Sequence, residues 1–125
     1  MALAKCQGFE SSLVPRLATG FGAGIGRCGE TCGAVTGAVM GLGIKYGRDT
    51  AASVKDRRPY WYSAELLRRF REEHGELRCP ALLGLDLDKP AEYEEYNAKN
   101  LWQYKCTKYI LSATALAWDI LAENK

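Results

Sequence analysis

An apolar segment at residues 33–44 carries a glycine at every fourth position, and this spacing constrains the fold more than any other feature of the chain. On a helix, Gly33, Gly37 and Gly41 would form one stripe without side chains. Each interior glycine costs about 1 kcal/mol relative to alanine. We therefore expect another backbone to approach this stripe closely, and the helix to be buried on most of its sides.

Helix signals recur along the whole chain, whereas no segment alternates apolar and polar residues as a half-buried strand would. Ser11 and Ser12 can cap a helix that reaches about residue 19 and buries Leu13 and Leu17. Thr31 is a candidate N-cap for the glycine helix, expected over residues 32–46. Further helices are expected over residues 59–73, 80–83, 91–98 and 101–122. Gly75 is expected to end the first of them, Cys79 to be the N-cap of the second, and the polar segment 48–58 to include a turn.

These signals predict an all-α fold: a compact helical bundle in which a glycine-rich loop precedes a central glycine-rich helix. At 125 residues, the chain fits a single domain over residues 1–125, with its core motif at 18–47 and a cysteine-bearing C-terminal part at 77–122.

The loop before the glycine helix contains Gly24, Gly26 and Gly29, which match the G-x-G-x-x-G pattern of dinucleotide-binding proteins. That pattern requires a preceding strand, whereas the residues before this loop read as helix. No Lys followed by Ser or Thr completes a phosphate-binding loop either. Nucleotide binding is therefore not expected.

Charge and hydropathy argue against nucleic-acid binding, a membrane span and secretion. The chain has 17 Lys and Arg against 15 Asp and Glu, a formal charge of +2, so nucleic acid is not an expected partner. Residues 33–44 are too few to cross a bilayer, which takes about 20 residues, and we expect no membrane span. The N-terminal residues do not resemble a secretory signal, which favours a cytoplasmic location.

Five cysteines in a reducing compartment favour metal binding, thiol redox chemistry or simple burial over a disulfide framework. Cys32 and Cys79 each stand where a helix begins, a position that favours the thiolate, and Cys106 falls on the inward stripe of the last helix. Cys28 forms C-x3-C with Cys32, a weak signal, while Cys6 lies near the N-terminus. Burial as small apolar side chains stays open as an explanation for these cysteines.

The pattern of these cysteines resembles the C-GCAxxG-C-C family of putative redox-active proteins from bacteria and archaea. The resemblance rests on ATGFGAGIGRCGETCGAVTGAVMGLGIKYG, on LRCPALLGLDL and on YKCTKYI. It implies that Cys32, Cys79 and Cys106 are the motif cysteines, with Gly33 and Gly37 as the motif glycines. The family's first cysteine usually lies in an additional N-terminal helix ahead of the loop, which this sequence starts too late to contain. The expectation is that either a longer natural start carries that cysteine or Cys28 replaces it.

The resemblance implies a redox-active or metal-binding protein, accessory to an oxidoreductase or a transporter. The split-Soret cytochromes look like distant relatives that combine haem with an iron–sulfur cluster. An iron–sulfur cluster or zinc held by Cys32, Cys79, Cys106 and Cys28 is therefore the candidate cofactor. Covalent haem is not expected, because the chain has no C-x-x-C-H.

Two other interpretations stay open. The chain could be a non-enzymatic interaction module or a homodimer with structural cysteines, whose glycine stripe and aromatic C-terminal half pack against a copy or a partner. The aromatic residues concerned are Trp102, Tyr104, Tyr109 and Trp118. An enzyme that holds an anionic substrate in the loop is the third interpretation, and no acid–base pair can be assigned to it.

Overall fold

A computed structural model describes residues 1–51 and 55–124. The described chain is all-α, as predicted. Its seven α-helices are α1 (Ala2–Cys6), α2 (Leu13–Ala18), α3 (Gly33–Tyr46), α4 (Arg58–His74), α5 (Cys79–Leu83), α6 (Pro90–Ala98) and α7 (Thr107–Glu123). A 3-10 turn, Thr19–Phe21, follows α2, and a π-helical turn, Trp102–Cys106, leads into α7.

Three long helices, α3, α4 and α7, pack against one another and form the main core. Leu66 and Phe70 of α4 are fully buried, as the 3.6-residue period of that helix predicts. Ala113 and Ala117 of α7 are fully buried as well, in the core cluster that includes residues of α3 and α4. Arg69 of α4 adds an ion pair to Glu123 of α7 at 2.7 Å. The core thus fixes the positions of α3 and α7. Cys32 lies directly before α3, and Cys106 lies directly before α7.

The glycine stripe of α3 has three different environments. A side chain at Gly33 would lie 3.3 Å from the carbonyl oxygen of Phe21, so the expected close approach of another backbone occurs there. Gly41 instead receives the side chain of Leu3 from α1. Nothing lies within 4 Å of a side chain built on Gly37. One side of α3 is therefore open at Gly37, while Val35, Ala38 and Leu42 of the same helix are buried.

Helix α2 also differs from its expected packing. Leu13 and Leu17 are 52% and 68% exposed, whereas the sequence predicts them on a buried side. The helix has only six residues and makes few contacts with the three-helix core, so its apolar side chains stay open.

Helix ends follow local sequence signals closely. Gly75 and Gly84 take left-handed conformations after α4 and α5, as helix-ending glycines do. Pro80 stands in the second position of α5, so Cys79 is its first residue rather than the N-cap. The turn predicted within residues 48–58 falls partly outside the described residues. Among the helices that the structure describes, none combines the length and the apolar character needed to cross a membrane.

Candidate functional site

The glycine-rich loop is a left-handed turn. Five consecutive residues, 23–27, have positive φ angles, from 53° at Ala23 to 74° at Gly24. Three of them are not glycine, and each such residue costs roughly 1–2 kcal/mol in this conformation. The amide N–H groups of Gly26 and Glu30 close the turn by donating to the carbonyl oxygens of Gly20 and Gly24, both at 2.9 Å. Strain of this kind persists only where surrounding structure holds it, and it is concentrated at functional sites.

The predicted site glycines have distinct positions in this region. Gly24 is buried, and a side chain there would meet the Glu30 backbone at 2.6 Å. Gly26 is exposed with open space around it, and a side chain on Gly29 would lie 3.3 Å from the ring of Pro80 in α5. The loop therefore rests on the helix that begins with Cys79.

A single antiparallel bridge joins the segments that carry Cys32 and Cys79. Thr31 pairs with Arg78, and the amide of Cys32 donates to the carbonyl oxygen of Leu77 at 2.7 Å. The amide of Cys79 donates to the carbonyl oxygen of Glu30 at 3.0 Å. Successive side chains of extended segments point to opposite faces, so Cys32 and Cys79, which flank the bridged pair, lie on the same face. The bridge brings together two cysteines that are far apart in sequence.

Cys106 reaches the same region from the other side, at the end of the π-helical turn before α7. Turns of this type are frequent at functional sites because they re-aim side chains within a helix. The sulfur of Cys106 forms a hydrogen bond with the hydroxyl of Tyr96, at 3.4 Å. Tyr109 of α7 donates its hydroxyl to the carbonyl oxygen of Leu82 at 2.9 Å, and Lys105 donates to that of Leu83 at 3.0 Å. These bonds tie the Cys106 segment to the end of α5.

Cys32, Cys79 and Cys106 all line one cavity of about 730 Å³. Cys79 is 7% exposed, and the other two are partly buried. The structure thus brings together the three cysteines that the sequence singles out. Cys28 and Cys6 are exposed and do not line the cavity, so neither completes the group in this conformation.

The three thiols are close enough to affect one another's ionisation. Burial is the largest cause of the raised pKa values of Cys32 and Cys79; a negative charge at Cys106 adds to the rise at Cys32, and charges at Cys32 and Cys106 add to the rise at Cys79. Each pair within the group is therefore coupled. Ionisation of one thiol opposes ionisation of the next, because like charges in a partly dry site repel.

The expectation that helix starts favour the thiolate at Cys32 and Cys79 is wrong. Burial is the largest effect at both residues; it raises the pKa of Cys32 and raises that of Cys79 to about 11. The amides of Ala34 and Val35 do lower the pKa of Cys32, as a helix start should, but by less than burial raises it. Both sites therefore hold neutral thiols at pH 7.

The family model that matches the chain is C_GCAxxG_C_C, described as putative redox-active protein, and the match covers residues 1–120. The chain belongs to this family. No curated protein and no solved structure matches the sequence significantly.

Membership of a redox-active family gives the cysteine cavity its functional interest. The described residues do not, however, form a metal site as they stand. Within residues 1–51 and 55–124, no group of three or more His, Cys, Asp and Glu side chains is arranged to hold a metal ion. The cavity unites the three thiols without placing them as a ligand set for zinc or a cluster.

Sequence reasoning missed the residues that surround these thiols. Tyr93, Tyr96 and Tyr109 line the cavity, and the guanidinium of Arg27 lies 4.4 Å from the centre of the Tyr93 ring. Burial, and then the bond to Cys106, raises the pKa of Tyr96. The tyrosines fall in α6 and α7 without a spacing that marks them as a group. Arg27 could have been noticed as the one basic residue of the glycine-rich loop.

Proposed function

We propose that the chain is a thiol redox protein in which Cys32, Cys79 and Cys106 form one redox centre, accessory to an oxidoreductase or a transporter. The observation that carries this proposal is the convergence of three cysteines, from three separate segments, on one cavity. Membership of a family described as putative redox-active supports it. Filling a core with small apolar side chains does not explain why all three cysteines face an open space.

The chemistry needs only the thiols and an oxidised partner. Two of the three thiols lose their hydrogens and join as a disulfide, releasing two protons and two electrons. The partner, an oxidised disulfide of a protein or of a small molecule, takes up these electrons and protons and becomes two thiols. Exchange of this kind proceeds by attack of one thiolate on a disulfide sulfur. A second thiol of the group then attacks the mixed disulfide so formed, which closes the intramolecular disulfide and releases the partner's second thiol.

The test is a map of thiol pairing under controlled redox conditions. After mild oxidation with diamide and alkylation of free thiols, peptide mass spectrometry should find an intramolecular disulfide among Cys32, Cys79 and Cys106. Dithiothreitol should reverse it. Cys6→Ser and Cys28→Ser serve as matched controls and should leave this pairing unchanged, because both residues are exposed outside the cavity. Three thiols that remain free under oxidation would contradict the proposal.

Metal analysis belongs in the same experiment. We propose zinc or an iron–sulfur cluster only as a second use of these thiols, since four thiolates are the usual set for either. Anaerobic purification, metal quantification and an absorption spectrum decide between the two uses. Bound metal that Cys32→Ser, Cys79→Ser and Cys106→Ser each remove would favour the metal interpretation, and Cys28→Ser would show whether Cys28 is the fourth ligand.

The exposed aromatic residues favour one alternative, that of an interaction module or homodimer with structural cysteines. Trp102, Tyr104 and Trp118 are 58%, 69% and 46% exposed. Aromatic side chains of this kind are enriched at protein interfaces. Sedimentation velocity over a range of concentrations tests for self-association, and Trp118→Ser should weaken it. A concentration-independent monomer would exclude the homodimer.

A further inference from the structure

The cavity extends well beyond the three cysteines. Its volume of about 730 Å³ lies within the range of sites that hold small organic molecules, about 300–1,000 Å³. One end is formed by the thiols and tyrosines described above. The other end is apolar and is formed by α1, α2 and the open side of α3, including Leu3, Val14, Leu17, Gly37, Met40 and Ile44.

One charged side chain lines the cavity. Arg27 is the one Lys, Arg, Asp or Glu residue lining the cavity among the residues that the structure describes. Within the same residues it forms no ion pair, and its guanidinium rests on Tyr93. Arg27 belongs to the left-handed loop, with a φ of 65°. Its contact with Tyr93 places it at the cysteine end, because Tyr93 packs against the same cluster as Cys79 and Cys106.

We infer that the cavity binds an amphipathic organic anion, with its apolar body between α2 and α3 and its anionic group at Arg27, beside the thiols. A planar guanidinium is well suited to hold a carboxylate, sulfonate or phosphate. The apolar wall supplies most of the binding free energy, since about 25 cal/mol is gained per Å² of apolar surface removed from water. This assignment deepens the proposed function, on which it rests for the role of the thiols, by naming the chemical class of molecule that reaches them.

Two fluorescent probes that share one apolar skeleton test the inference. Anilinonaphthalene sulfonate is anionic, whereas N-phenyl-1-naphthylamine lacks the sulfonate. Both should bind the folded, reduced protein saturably. Arg27→Gln should weaken binding of the anionic probe about 3- to 10-fold and that of the neutral probe by less than twofold. Arg16→Gln, in α2 but outside the cavity lining, should change neither.

The glycines of α3 offer a matched pair for the apolar end. Gly37 and Gly43 both have open space around them, but only Gly37 lines the cavity. Gly37→Leu should place a side chain in the cavity and weaken both probes by about tenfold or more, while Gly43→Leu should leave both unchanged. Near-ultraviolet circular dichroism verifies that each variant folds. Equal effects of the two substitutions, or equal effects of Arg27→Gln on the two probes, would overturn the inference.

Protection from alkylation links the bound molecule to the thiols. Saturating anionic probe should slow the alkylation of Cys32, Cys79 and Cys106 at least threefold, with the exposed Cys6 and Cys28 as internal references. Absence of protection would overturn the placement beside the thiols. These experiments distinguish failure of the anion-binding inference from failure of the proposed redox function. Redox cycling without probe binding removes only this inference, whereas probe binding to a protein whose thiols never pair removes only the redox function.

Discussion

Cys79 shows how burial and helix position compete at a single residue. The residue begins α5, where the first amides of the helix carry a partial positive charge that should favour a thiolate. Its side chain is enclosed by Leu83, Leu87 and Tyr96. Loss of water disfavours the charged form, and the pKa rises to about 11. At pH 7 the residue is therefore a neutral thiol and a slow nucleophile in the reduced protein.

The alkylation rate of Cys79 should consequently rise about tenfold per pH unit from pH 7 to beyond pH 10. A thiol with an ordinary pKa near 8.5 levels off well below that. The rate rises with pH over this whole range because the pKa is raised, so the reactive thiolate is scarce until the pH approaches 11. Mass spectrometry of the Cys79 peptide after timed iodoacetamide treatment measures the rate, with urea-unfolded protein as the control. A plateau near pH 9 in the folded protein would contradict the prediction.

At the scale of the element, the glycine-rich loop connects helical segments and is not preceded by the strand of a strand–loop–helix unit. Helix α2 and a 3-10 turn precede it, and its left-handed residues place Arg27 at the cavity and Gly29 against Pro80. Gly24 is the residue on which this path depends, because the backbone of Glu30 occupies the space that a side chain would need.

Gly24→Ala should therefore destabilise the protein far more than Gly26→Ala. Both residues have positive φ angles, 74° and 60°, so alanine costs roughly 1–2 kcal/mol at either position. Only at Gly24 would the added carbon also lie 2.6 Å from a backbone nitrogen. We expect a loss of more than about 3 kcal/mol for Gly24→Ala, measured by urea unfolding. Similar losses for the two variants would show that the loop path is not held at Gly24.

At the scale of the whole molecule, α3 and α7 of the three-helix core both contribute residues to the cavity wall. Ala113 and Ala117 are fully buried in the core where α7 packs against α3 and α4. Cys32 stands at the start of α3 and Cys106 just before α7. The separation of these helices therefore contributes to the separation of the two thiols.

Enlarging a side chain in this contact should destabilise the fold. Ala113 is completely buried, and Ala113→Leu should cost about 1–3 kcal/mol by overpacking. Ala115 lies in the same helix and is exposed, so Ala115→Leu should change the free energy of unfolding by less than about 0.5 kcal/mol. Thermal and urea unfolding of the pair provide the measurement. An unchanged free energy of unfolding for Ala113→Leu would mean that the core around Ala113 can accommodate the larger side chain.

Local sequence was sufficient to predict six of the seven described α-helices, the loop and the family, but neither α1 nor the π-helical turn before α7. Gly75 and Gly84 end helices through their own backbone freedom, and the period of α4 identifies Leu66 and Phe70 as core residues. These features depend on neighbours within a few positions along the chain. The helix positions of Cys32, Cys79 and Cys106 mark them as candidates, and the resemblance implies that they are the motif cysteines. Their redox or metal role stays a prediction.

Only the tertiary structure decided which residues surround the thiols and how those thiols ionise. The bridge between Thr31 and Arg78, the tyrosines at the cavity and the enclosure of Cys79 all join segments that are distant in sequence. Leu13 and Leu17 are likewise exposed because α2 makes few contacts with the three-helix core. Burial depends on the meeting of remote segments, so a helix start that favours a thiolate in isolation holds a neutral thiol in the folded protein.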